Sequence, residues 1–233
     1  MDCASDPRSL PAPAIAPDPL VWFADMIDHC YDFAKSAKAQ GRPVVGIMCE
    51  FTPREIILAA GGVPVCLCGG SADTIPAAEQ FLPANLCPLI KSTFGYQVTG
   101  KNPFLEWADL VVAETTCDGK KKMFELMSAR KPMYVLELPQ KADDENALEH
   151  WTGEVRKFKE HLESRFQTRV TEEQLRQACR TMNRERRKNV PAAEAGVADF
   201  FRRTQHCRGR IKFGNETVRL TVHWWPPFAP PSG

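Results

Sequence analysis

From residue 44 onward, short apolar runs alternate with amphipathic or charged stretches, and glycine or proline closes each run. Val44 to Met48 (VVGIM) follows Gly41-Arg42-Pro43 and predicts a strand covered on both faces, because such strands read as continuous apolar text rather than as alternation. Pro53 to Ala60 reads as a helix with proline in its first turn, closed by Gly61-Gly62. Val63 to Cys68 is a second strand and Gly69-Gly70-Ser71 a turn. Pro88 to Tyr96 opens a helix. Ala108 to Ala113 is a third strand, Asp118 to Arg130 a helix, and Pro132 to Leu138 a fourth strand. This rhythm predicts βαβ units and a parallel sheet, hence an α/β fold: a Rossmann-like open sheet flanked by helices.

The pattern changes at both ends. Residues 1–19 read as a flexible Pro/Ala leader, and Trp22, Met26, Cys30 and Phe33 follow at helical spacing. From Asp144 to Asn189 the text turns helical, and residues 151–190 carry 17 charged side chains, a helical arm with solvated faces. Thr171 and Gln174 fit a capping box, with Glu172 and Glu173 placed to complement the helix dipole. Leu175, Ala178, Cys179 and Met182 form an apolar stripe, which makes Cys179 a core residue rather than a ligand. Residues 218–224 alternate as a half-buried strand behind a hairpin turn at Gly214-Asn215, and Cys207 falls in a basic loop. The expected organisation is a leader (1–19), a Rossmann-like lobe with its arm (20–190) and a separate tail (191–233).

Composition narrows the function classes. The 233 residues are 43% hydrophobic and 25% charged, ordinary globular usage, with a net charge of +1. That balance gathers neither nucleic acid nor anionic membrane, and no apolar run is long enough to span a bilayer. Nine cysteines stand out. The N-terminal text lacks a basic region and an apolar core, so it does not read as a secretory signal, and the expected compartment is the reducing cytoplasm. The thiols are then buried hydrophobes, a redox pair or metal ligands.

Four of them sit at strand ends or helix starts: Cys49, Cys68, Cys87 and Cys117, at intervals of 19, 19 and 30 residues. Ligands of open parallel sheets collect outside the carboxyl ends of the strands, so thiols from four segments can converge there. The spacing is neither the paired knuckles of zinc ribbons nor the local run of ferredoxins. Dispersed thiolates on rigid strand ends suit an iron–sulfur cluster, and helix N-termini beside Cys87 and Cys117, with Lys120, Lys121 and Lys122 nearby, favour its negative charge. The competing reading is four buried structural thiols. Cys66 reads as core. Glu50, Glu55 and Glu114 flank the cysteines and are candidate proton donors; the plainer reading is a helix-start charge for Glu55 and solvated carboxylates for Glu50 and Glu114. The histidines at 29, 150, 161, 206 and 223 are scattered, and neither a dinucleotide fingerprint nor a Walker loop is present.

The strings CEFTPREIILAAGGVPVCLCGGS, LPANLCPLIKSTFGY and ADLVVAETTCDGKKKMFELM closely resemble the 2-hydroxyacyl-CoA dehydratase D-component family, which also holds benzoyl-CoA reductase subunits. The nearest resemblance is to its double-cubane-cluster branch, and the helical text LRQACRTMNRERR shares it. The resemblance implies two Rossmann-like lobes around an iron–sulfur cluster, either 4Fe–4S or a double cubane. It also implies an ATP-hydrolysing iron–sulfur activator as electron donor, an acyl-CoA or other small-molecule substrate, and homo- or heterodimeric pairing. Carried over, Cys49, Cys87 and Cys117 fall at cluster-ligand positions, and Cys68 matches a further ligand of the double-cubane branch. The match fades near Arg187, so the chain is expected to be a single lobe of that architecture. Two rival readings stay open. One is a non-catalytic truncated form acting as an interaction partner; the other is a zinc-binding structural domain on the same thiolates.

Overall fold

The computed structural model describes residues 26–48, 51–141, 143–192, 206–213 and 216–223. The leader, Trp22, Cys49, Glu50 and the Gly214-Asn215 turn lie outside the described residues. The elements in chain order are α1 (Met26–Ala39), β1 (Val44–Ile47), α2 (Arg54–Ala59), β2 (Val63–Cys66), a 3-10 turn (Ala72–Thr74) and α3 (Ile75–Ala78). They continue with α4 (Pro88–Thr99), α5 (Pro103–Trp107), β3 (Leu110–Glu114), α6 (Asp118–Ser128), β4 (Met133–Leu136), α7 (Ala147–Phe166) and α8 (Glu172–Ala192). A hairpin of β5 (His206–Phe213) and β6 (Glu216–His223) completes the order.

Strands β1 to β4 form one parallel sheet in the order β2-β1-β3-β4. The expected α/β architecture is therefore present, with all four apolar runs as strands. Side chains alternate across the sheet and build two cores. Val45 and Ile47 of β1 join Leu110 and Val112 of β3 against α2, α7 and α8, through Ile57, Phe158, Leu162 and Leu175. Val111 and Ala113 face the other way, with Met48 and Leu67, against α4 and α6 through Ile90, Phe94, Met123 and Met127. Burial on both faces explains why these strands read as unbroken apolar text.

Several local expectations shift. α1 forms where the spacing places a helix, with Cys30 and Phe33 exposed, Phe33 at 59%. Its buried side is Ala34 and Ala37, small enough for close approach, while Tyr31 stacks on Trp107 with centroids 4.5 Å apart. β2 stops at Cys66, two residues early, and because β2 is an edge strand Cys66 is exposed rather than core. Asp109 precedes β3 rather than extending it; its Oδ2 accepts the Val44 N–H at 2.9 Å, tying the starts of β1 and β3 together. Cys207 lies on a strand opposite Val222 in an antiparallel pair, not in a loop. The charged arm resolves into α7 and α8. The capping box at the head of α8 forms: Gln174 N–H donates to Thr171 Oγ1 at 3.3 Å, and Thr171 N–H to Gln174 Oε1 at 2.8 Å.

Candidate functional site

The carboxyl ends of the strands lie level. Met48 N–H donates to Val112 O at 3.0 Å, Leu67 N–H to Ile47 O at 3.0 Å and Thr115 N–H to Leu136 O at 3.1 Å. At this edge the chain leaves β1 toward Cys49 and Glu50, which lie outside the described residues. Cys68 is exposed two residues beyond β2, and its Sγ–H donates to Met48 O at 2.8 Å, holding it to the exit of β1.

Cys87 and Cys117 share one local design. Each is the N-cap of a helix, Cys87 of α4 and Cys117 of α6, and each carbonyl accepts the N–H four residues on, from Lys91 (3.1 Å) and Lys121 (3.2 Å). Neither helix start has a side-chain cap, so the positive end of each backbone dipole is presented beside an exposed thiol. The two starts pack together at Gly119. A Cβ there would lie 2.8 Å from Leu86 Cδ1 and 3.0 Å from Ile90 Cδ1, so the start of α6 lies directly against the side chains of the Cys87 turn. The loop after Cys68 reaches the same helix: Gly69 N–H donates to Thr93 Oγ1 at 3.0 Å. Cys68, Cys87 and Cys117 thus come from three segments that meet around the first turns of α4.

Among the described residues no three Cys, His, Asp or Glu side chains gather closely enough to enclose a metal ion. The donor chemistry nonetheless fits an iron–sulfur group. The sulfurs are soft and exposed, and they stand beside backbone N–H groups that favour negative charge.

The carboxylates are placed differently from the plain expectation. Glu114, at the end of β3, is fully buried rather than solvated, and Thr52 Oγ1 donates to its Oε1. The helix-start charge Glu55 is also buried and is ion-paired with Arg186 of α8 at 2.5 Å. The lysines after Cys117 are drawn into pairs, Lys121 with Asp118 (3.1 Å) and Lys122 with Glu125 (2.5 Å).

Beside Cys117 a cleft of about 710 Å³ opens over the ends of β3 and β4, lined by Thr115, Lys121, Glu137, Lys141 and His150 among others. Its floor is fixed by hydrogen bonds that the sequence pattern does not reveal. Leu138 N–H donates to Thr115 Oγ1 at 2.9 Å, and Glu137 N–H to the Glu154 carboxylate at 3.1 Å. His150 Nε2 lies 3.1 Å from Glu137 O; a carbonyl only accepts, so Nε2 carries the proton. Burial pushes the Glu154 carboxyl up, but hydrogen bonds from Lys157 and Glu137 N–H, with the Lys157 charge, outweigh it and hold the group below its ordinary range. A cleft of largely apolar lining, rimmed by both lysine and carboxylate, can seat a small molecule with charged groups.

Residues 49–194 match the family described as 2-hydroxyglutaryl-CoA dehydratase, D-component. The chain is 48% identical over 150 residues to YjiM of Escherichia coli (strain K12), whose name gives it provisionally as a dehydratase subunit. It is 27% identical over 146 residues to the beta subunit of lactoyl-CoA dehydratase from Anaerotignum propionicum. It is 26% identical over 150 residues to one of the subunits of benzoyl-CoA reductase from Thauera aromatica. These alignments take in 63–64% of this chain but only 38–39% of each relative. Among the described residues no helix is long and apolar enough to cross a membrane.

Proposed function

The chain belongs to the 2-hydroxyglutaryl-CoA dehydratase D-component family, and on that premise we propose that it is an iron–sulfur lobe of an acyl-CoA dehydratase or reductase. Cys49, Cys87 and Cys117 are the thiolate ligands in this reading, with Cys68 a further one. When bound, the cluster supplies single-electron transfer at low potential. The electrons come from a separate ATP-hydrolysing iron–sulfur activator. The relatives are named as subunits of larger enzymes, which supports a partner chain here as well.

One observation carries the reading: two exposed cysteines cap two helices whose first turns meet at a glycine, beside the loop of a third exposed cysteine. That placement presents thiols to a ligand instead of burying them as structural residues. The residues of the chain have definable tasks. The starts of α4 and α6 favour negative charge at the sulfurs. The cleft beside Cys117 receives the small-molecule end of the substrate, with Lys141 on its rim for its anionic groups. Glu50 and Glu114 are the candidate proton donors in this reading, Glu114 from a buried position hydrogen-bonded by Thr52.

Iron and acid-labile sulfide per chain, measured after strictly anaerobic purification, test this. About four irons are expected per cubane, with loss in Cys49→Ala, Cys87→Ala and Cys117→Ala. More iron than one cubane holds would bring in Cys68 and a double cubane. Folded protein that carries zinc, or no metal at all, would overturn the reading.

A further inference from the structure

The Cys87 loop is held by a buried charge. Residues 83–85 and 87 are exposed, and only Leu82 and Leu86 reach inward. Leu82 and Leu86 anchor the segment in the core at two points, and the exposed stretch between them is fixed by polar contacts. Lys91, one helical turn after Cys87, supplies them. It is 6% exposed, and its ammonium donates to Ala84 O and to Glu79 Oε1, both at 2.6 Å. Its backbone N–H donates to Cys87 O at 3.1 Å. Lysine is almost never buried this deeply unless its charge is paired, and both contacts are short, charge-assisted hydrogen bonds. One side chain therefore ties the segment before Cys87 to the helix after it. The aliphatic stem lies on α4 between Ile90 and Phe94 in sequence, so the charge is carried on a helix whose neighbouring positions are core.

We propose that Lys91 is a positioning residue for Cys87, fixing the loop so that the thiol is presented in one place to its ligand. This rests on the reading of Cys87 as a cluster ligand. Lys91→Met keeps the stem and removes the clamp. Glu79→Ala removes the counter-charge and leaves the ammonium the Ala84 carbonyl. Two measurements on the full chain separate the inference from that reading. In metal-free protein, amide hydrogen exchange over residues 79–87 is expected to speed up about tenfold in Lys91→Met and by a smaller factor in Glu79→Ala, with β1 and β3 unchanged. On addition of ferrous iron and sulfide under anaerobic conditions, at a temperature where circular dichroism shows each protein folded, both variants are expected to take up less iron than the parent. Exchange over 79–87 that stays at the parent rate overturns the inference, as does exchange that rises equally in every segment, which would make Lys91 a general core group. If the parent itself takes up no iron, the cluster reading fails, and the exchange result still decides whether Lys91 holds the loop. If Lys91→Met does not fold, Glu79→Ala decides by the same two readouts.

Discussion

Gly95 of α4 gives a test in which helix propensity and packing predict opposite signs. In a helix interior, Gly→Ala ordinarily stabilises by about 1 kcal/mol. At Gly95 a Cβ would stand 2.0 Å from Thr74 O and 2.6 Å from Thr74 C, both backbone atoms. Thr74 cannot easily retreat, because its Oγ1 donates to Ser71 O or Ser92 O at 3.0–3.1 Å and Ser92 Oγ donates to Ser71 O at 2.7 Å. The helix must move outward by roughly 1 Å to restore van der Waals contact, at the upper end of the usual overpacking cost, about 3 kcal/mol. Subtracting the propensity gain leaves Gly95→Ala destabilised by about 2 kcal/mol. Gly153 of α7 is the internal control: a Cβ there meets nothing within 4 Å, so Gly153→Ala should stabilise by up to about 1 kcal/mol. Urea denaturation followed by circular dichroism reads both, and a lower midpoint at unchanged slope for Gly95→Ala is the expected result. A Gly95→Ala protein as stable as Gly153→Ala would refute the packing of α4 on the 72–74 turn, and with it the seating of the helix that Cys87 caps.

Other consequences concern charge and thiols. His161 packs on Tyr134 with centroids 4.6 Å apart, and its buried Nε2 has no hydrogen-bond partner among the described residues; burial, with Arg165 nearby, lowers its pKa. The unfolded chain therefore takes the proton first, so stability should fall as pH drops below 6.5 toward the folded value, and His161→Phe should flatten that slope in thermal melts. Glu154, held below its ordinary value, contributes stability that is present above pH 4.5 and lost as pH falls further; Glu154→Gln should shrink the acid limb, and an unchanged limb would show that the Lys157 and Glu137 contacts carry no weight. Burial first, then the Glu55 charge, pushes the Cys179 thiol up, so a short iodoacetamide pulse followed by mass spectrometry should label exposed Cys68, Cys87 and Cys117 before Cys179. Arg186→Met strands the buried Glu55 carboxylate and should cost about 2 kcal/mol, most of it recovered by adding Glu55→Gln; independent, additive losses would break the assignment of that pair.

The sheet was legible because each buried strand is an apolar run between turn residues, and all four appear within one or two residues of their expected bounds. The head of α8 was legible for a similar reason: Thr171 and Gln174 satisfy each other locally, whatever else the fold does. Strand order was not legible, since periodicity says nothing about which strand lies at an edge. Cys66 was therefore misread as core. The helix α1 could be read from its spacing, but its buried side could not, because Phe33 outweighs Ala34 and Ala37 on any hydrophobic count, yet the alanines allow the close approach. Glu114 and Lys91 escaped for the opposite reason, as charged side chains that look solvated until a partner such as Thr52 or Glu79 is known. The positions of Cys87 and Cys117 at helix starts could be read from Pro88 and from Asp118-Gly119. Their meeting could not, because it depends on a contact between Gly119 and Leu86 that lies more than thirty residues apart in sequence.

The three lysines after Cys117 also change meaning in three dimensions. Read along the chain they are a block of positive charge, but Asp118 and Glu125 draw in Lys121 and Lys122, so residues 118–125 carry a single net positive charge at an exposed surface that salt screens. What remains beside the thiols is less easily screened. Two helix starts without side-chain caps each present roughly half an elementary charge through fixed backbone N–H groups. The Lys91 ammonium is buried one turn behind Cys87, with part of its charge offset by Glu79. Support for an anionic group at Cys87 and Cys117 therefore comes chiefly from the backbone and from one buried side chain, and raising the salt concentration should weaken it far less than a surface lysine cluster would require.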